Sequence, residues 1–346
     1  MGRPCAGPSA TGCWSSPTTC ARVACGGRKD LIPMPIDDIN RTLARTINVG
    51  PDYGAQAEQG WTVPFGARTL DLITDAGFSA VRLCLCWAAH TGDGHRIDPA
   101  MLEAVAEAAD LAEERGLALV LSNFLDPELI ADPPAHLDRL LSITDQVARR
   151  FADRPDSLVL EAFAEPREAL DPRWNDYVRR MLTVLRAADP TRAVIIGPES
   201  YNNQRTLPRL ELPADDANLI VTVHQYWPIT FTMQGEEWLG QTPFGDPRSW
   251  LGNTWDGTAD QRAELTAGFD AIAAWATTAH RPIFLGEFGT TDHADLESRV
   301  RWTAFNRELA EERGFSWGAW SFGPTFPLYD QSAGAWNQPL LKALGL

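Results

Sequence analysis

After about residue 40 the chain alternates between short apolar runs and stretches with helical periodicity, and it does so eight times. The apolar runs are RTINVG (45–50), SAVRLCLCW (79–87), LALVLSNF (117–124), SLVLEAF (157–163), AVIIGP (193–198), NLIVTVHQY (218–226), PIFLGEF (282–288) and FSWGAWSF (315–322). Near-continuous Val/Ile/Leu strands separated by helices belong to a parallel sheet buried on both faces. Eight such repeats predict a closed (β/α)8 TIM barrel of the α/β class rather than an open sheet. The helix punctuation agrees. Asp98 precedes Pro99, the stripe Leu102, Val105, Ala109, Ala112 follows, and Gly116 comes after the end. Further helices are predicted near 67–77, 136–152, 173–188, 258–279 and 294–313. A weak helical stretch falls near 203–210, a long loop reaches from strand six to about 257, and a short helix closes the chain.

Residues 1–40 are predicted to form a leader without ordered structure, and residues 41–346 a single catalytic barrel. The leader is rich in Gly, Pro, Ser and Thr and holds Cys5, Cys13, Cys20 and Cys25 at spacings that match no zinc pattern. It lacks the continuous apolar stretch of a signal peptide, so secretion is unsupported and the location is left open. Cys84 and Cys86 share a strand face and are expected to pack as small apolar residues. The net charge of −16 argues against nucleic acid and against an anionic membrane surface. No apolar run reaches the roughly 20 residues that span a bilayer. A neutral substrate fits this charge, and a monomer is expected.

Several barrel chemistries drop out. The only lysines are Lys29 and Lys342, neither on a barrel strand, which argues against a Schiff-base aldolase. The six histidines include no His-x-His on a strand, so no metal site is expected. No Gly-rich phosphate loop follows a strand, and no cofactor is expected.

Reactive groups of such barrels sit at the C-terminal strand ends. Here those ends offer Arg82 and Trp87, Glu165, His224 and Tyr226, Glu287, and Trp320. Glu165 and Glu287 are the pair of carboxyls that glycosidic bond cleavage requires. Glu165 is expected as general acid/base, with its pKa raised by burial and by the second carboxylate. Glu287 is expected to stay ionised, held by Arg82 and positioned by Tyr226. The competing readings are structural: an ion pair for Arg82, a satisfied core residue for His224. Trp227, Trp238, Trp250 and Trp255 crowd the loop after strand six, and about half of them are expected to face a sugar-binding groove.

These segments carry a resemblance. INVG, AVRLCLCW, LEAFAEP, VHQYWPITFTMQGEEW, IFLGEFG, WGAWSF and the tail PLYDQSAGAWNQPLLKAL, in that order, resemble the motifs of glycoside hydrolase family 5, the cellulase-type retaining glycosidases. The resemblance implies Glu165 as acid/base and Glu287 as nucleophile, with Arg82, His224 and Tyr226 in support. It implies Trp320 as the platform under the sugar, often followed in the family by a non-proline cis peptide, here to Ser321. Cleavage of a β-linked glucan, mannan or related β-glycoside by double displacement is the expected function.

Three positions depart from the family pattern. Ala164 stands before the acid/base where the family has Asn, whose bond to the sugar 2-hydroxyl strengthens in the transition state. By analogy with a lost oxyanion donor, its absence costs about 2–4 kcal/mol. The third strand ends in Ser122, Asn123 and Phe124 where the family has His, and Met233 replaces the His of the FTHQG segment. Asn123 and Ala164 are accordingly named with Trp227 and Trp238 among the substrate-side residues. Ala164 also keeps open a weakened or carbohydrate-binding relative, or one that transfers the glycosyl group to an acceptor other than water.

Overall fold

The computed structural model describes residues 33–50, 65–324 and 326–346. Eight parallel strands close into one barrel in sequence order, β1 pairing with both β2 and β8. They are β1 (Arg45–Val49), β2 (Ala80–Leu85), β3 (Ala118–Asn123), β4 (Leu158–Glu161), β5 (Val194–Ile196), β6 (Leu219–Gln225), β7 (Ile283–Phe288) and β8 (Ser316–Ala319). Each strand is buried along nearly its whole length, as the unbroken apolar runs require.

Period two divides each strand between two cores. Val81, Leu83, Leu119, Leu121 and Leu285 face outward and pack under the helices. Ala80, Ala118, Val120, Val159, Ile195, Ile220 and Phe284 fill the interior. The helices start where the sequence supplies caps. Asp98 accepts from the Ala100 N–H ahead of Pro99–Glu114. Asp132 caps Pro133–Arg150, which begins earlier than its apolar stripe because Pro suits the first turn. Thr258 and Gln261 form a reciprocal capping box at the start of Ala259–Ala279.

The boundary of the leader needs correction. Residues 36–40, assigned to it from composition, lie in a helix, Ile36–Thr42, at the base of the barrel. Ile39 and Leu43 join the interior core. The Asn40 side chain donates to the Ile283 carbonyl and accepts from the Ser316 hydroxyl. Polar composition hid a segment whose few apolar residues all point one way. The four leader cysteines lie outside the described residues. Among the described residues no helix is long and apolar enough to cross a membrane.

Candidate active site

Glu287 is carried within β7, and a register shift aims it. Val223 pairs with Leu285, but His224 pairs with Glu287, leaving Gly286 as an extra residue. Such a bulge re-aims the side chain that follows it. Only glycine fits there. A Cβ on residue 286 would stand 2.3 Å from the Thr222 hydroxyl and 3.2 Å from His224 Nε2. Glu165 is held differently. It lies four residues beyond the end of β4 on a left-handed backbone, φ 53°. Non-glycine residues take that conformation at a cost, and they do so most often at functional sites.

The two carboxyls meet at His224. Its Nδ1 lies 2.9 Å from Glu165 Oε1 and 3.5 Å from Glu287 Oε2. One oxygen of each carboxyl and a ring nitrogen of His224 all lie within 4.8 Å of one another. Tyr226 donates its hydroxyl to Glu287 Oε2 at 2.9 Å. Arg82, fully buried, donates through Nη1 to Glu287 Oε1 at 2.8 Å and through Nε to Glu161 Oε2 at 2.6 Å. Its Nη1 also reaches Asn48 Oδ1. Asn48 in turn donates to the Gly286 and Ala319 carbonyls, tying β1 to β7 and β8. Burial works against the Arg82 charge, but Glu161, Cys84 and Glu287 outweigh it and push the guanidinium above its ordinary value.

The electrostatic ordering of the pair differs from expectation. Burial raises Glu165, but the hydrogen bond and charge of His224, with Arg167 and Arg82, leave it below the usual carboxylate range. Burial pushes Glu287 up, and the nearby Glu165 charge adds to this, against His224 and Arg82. Sequence reasoning counted burial for Glu165 and the arginine for Glu287. It could not place the imidazole, which sits closer to Glu165. The two groups titrate as a pair.

Above the pair lies an apolar cluster of Cys84, Phe124, Ala164, Trp320 and Phe326, with Leu125, Tyr226 and Met233 against it. Phe124 stacks on Trp320 with ring centroids 5.9 Å apart, and the Trp320–Ser321 peptide is cis. Cys84 and Cys86 are free and buried, and burial raises Cys86 to about 12.

Other substrate-side expectations change. Asn123 ends β3 and is buried, and the next residue, Phe124, joins the apolar cluster beside the pair. Trp250 is buried and donates to the Phe244 carbonyl within its loop, and Trp255 is buried against Phe305 and Arg262 on the flanking helices. Trp227 packs against the outer core and donates to Glu264 on the neighbouring helix. Trp238 is exposed and bonded to Glu236. Both indole N–H groups are thus held by carboxylates, one on the neighbouring helix and one in the same loop.

Three residues went unremarked in the sequence. Glu161 interrupts an apolar strand, and a carboxylate there demands a buried partner. Asn48 and Asn202 carry no comparable signal. Among the described residues, two groups could reach a single cation: Glu165, His224 and Glu287, and the more exposed Glu236, Asp292 and His293.

Known proteins share this arrangement. The family model Cellulase (glycosyl hydrolase family 5) matches residues 51–325. Endoglucanase H of Acetivibrio thermocellus is 29% identical over 323 residues, covering 90% of this chain and 34% of that protein. Cellulase/esterase CelE of the same organism is 26% identical, covering 86% and 38%. The chain thus spans little more than a third of the length of these relatives. Among solved structures, endoglucanase Cel5A of Thermotoga maritima is 36% identical with a TM-score of 0.85, covering 90% of this chain and all of the other. A structure of that protein in complex with mannotriose matches at 35% and 0.84, with the same coverage. A cellulose synthase subunit Z from Clostridioides difficile matches at 31% and 0.80, covering 87% and 99%. Two glutamates at the mouth of an eight-stranded barrel, with a matching family model over most of its length, make this chain a member of glycosyl hydrolase family 5.

Proposed function

We propose that the protein is a retaining β-glycoside hydrolase acting on a β-linked glucan, mannan or related β-glycoside. The observation that carries this reading is the close approach of the Glu165 and Glu287 carboxyls around one imidazole. Retaining enzymes hold their carboxyls about 5–5.5 Å apart, and inverting enzymes about 6.5–9.5 Å apart to admit a water. Oxygens within 4.8 Å support the former. Glu287 attacks the anomeric carbon while Glu165 protonates the leaving oxygen. Glu165 then takes a proton from the water that releases the glycosyl-enzyme. All of these groups come from one chain, which supports action as a monomer.

Anomer-resolved NMR of products from β-glucan, β-mannan and aryl β-glycosides tests the reading. The β-anomer should appear first, and the α-anomer appearing first would overturn retention. Glu287→Gln should lower turnover by at least about 10⁴-fold, as loss of a nucleophile does.

The apolar cluster favours a second reading, a weakened or repurposed site. The Ala164 methyl offers a sugar no hydrogen bond, and Phe124 and Met233 flank it. If the site is an impaired hydrolase, Ala164→Asn should raise kcat on a β-glucoside by about 10²-fold. No gain, together with product formed on added alcohol acceptors, would favour glycosyl transfer.

A further inference from the structure

The chain accepts unusual local structure between β5 and β6. Ser200, Tyr201 and Asn202 are three successive non-glycine residues in the left-handed region, with φ of 57°, 65° and 54°. A single such residue is uncommon, and three in a row persist only where the surroundings over-determine them. The surroundings do so here. Asp171 accepts from the Ser200 backbone N–H and from its hydroxyl. The Tyr201 N–H donates to the Pro166 carbonyl, one residue beyond Glu165. Asn203 pairs with His224 in an isolated parallel bridge that pins the turn to β6. Trp174 holds the Gly197 carbonyl at the turn's entrance.

This turn delivers one buried group to the site. Asn202 is fully buried, and its side-chain nitrogen lies 3.1 Å from His224 Nε2. The other end of the amide, Oδ1, is buried without a hydrogen-bond partner. Gly197 makes room for it, since a Cβ there would lie 2.2 Å from that oxygen. A strained turn and an orphaned acceptor together place one N–H on one ring nitrogen.

We propose that Asn202 is a positioning residue for the acid/base: by donating to Nε2 it fixes His224 in the tautomer that carries its proton on Nδ1, aimed at Glu165. The proposal rests on the reading of Glu165 as acid/base. The two ring nitrogens of a neutral imidazole are one donor and one acceptor, and the partner of one decides the other. With Nε2 accepting from Asn202, Nδ1–H donates to Glu165 Oε1 at 2.9 Å. That bond strengthens as Glu165 gives up its proton to the leaving oxygen, so Asn202 makes Glu165 a stronger acid through His224. The hydrogen bond from His224 is among the causes that hold Glu165 below its ordinary value. Other groups also face the carboxyl or its partner. Glu287 comes from β7, Arg82 and Cys84 from β2, Arg167 from the same loop, Tyr201 from the turn, and Tyr226 follows β6.

The test uses the whole chain. Nitrogen-15 NMR of the wild-type protein, with His224 assigned by its loss in His224→Gln, should show Nδ1 protonated and Nε2 bare. The reverse overturns the proposal and needs no substrate, so this measurement stands even if the enzymatic reading fails. Asn202→Gly keeps the left-handed backbone at low cost and removes the amide. In that variant the alkaline limb of kcat/KM should move up by about half to one pH unit. Its kcat should fall about tenfold on substrates with alkyl leaving groups and less on nitrophenyl glycosides, which need little acid assistance. An unmoved limb, or equal losses on both substrate types, would mean that Asn202 is structural only.

Discussion

The chemistry turns on which neighbour each carboxyl meets first. Glu165 meets His224, whose hydrogen bond pulls against burial. Removing that neighbour should therefore raise Glu165. His224→Gln should move the alkaline limb of kcat/KM, where Glu165 loses its proton, upward by about one unit, as a pH profile would show. The sign follows from the cause, since losing a group that favours the charged form raises the pKa. Glu287 rests on Arg82, whose guanidinium it shares with Glu161. Taking one partner from a buried ion pair leaves an uncompensated charge. Glu161→Gln should cost about 3–5 kcal/mol in urea unfolding. At this scale the sequence was legible where a charged residue lay in or just beyond an apolar run, as with Arg82, Glu165 and Glu287. It was silent on Asn202, because a left-handed turn built from Ser, Tyr and Asn has no glycine to mark it.

The elements were mostly readable from their apolar runs and stripes, and several helices carried a cap as well. The helix Ile36–Thr42 was not, since a short helix in a polar stretch has too few residues to show a period. Its contribution can be measured. Ile39 is buried against the interior core at the barrel base. Ile39→Ala should destabilise the fold by about 2–4 kcal/mol, read by chemical denaturation, with kcat per folded molecule unchanged because the site is at the other end. The bulge that aligns His224 with Glu287 also escaped prediction. A register shift arises between strands, and neither strand's own pattern records it.

For the whole molecule, closure was implied by counting eight alternations, and the barrel then dictated which strand ends would converge. What counting cannot convey is the character of the mouth, which depends on Phe124, Ala164, Met233 and Phe326 gathering from four separate segments. The net charge of −16 gives a test at this scale. An uncharged glycan feels no long-range steering from that field, so kcat/KM should change less than about twofold between roughly 0.01 and 1 M salt. A strong salt dependence would point to an ionic substrate.

The two glutamates are anchored in unequal ways. Glu287 is built into the hydrogen-bond ladder of a stave, so the atom proposed to attack cannot wander without opening the cask. Glu165 rides on a bend beyond the end of its strand, held by single bonds to the neighbouring strand and turn, and an insertion or deletion there would relocate the proposed proton donor alone. On the proposed retaining reading, divergence among such chains should accordingly be written on the departing half of the substrate, while the half that would become covalently bound keeps its address.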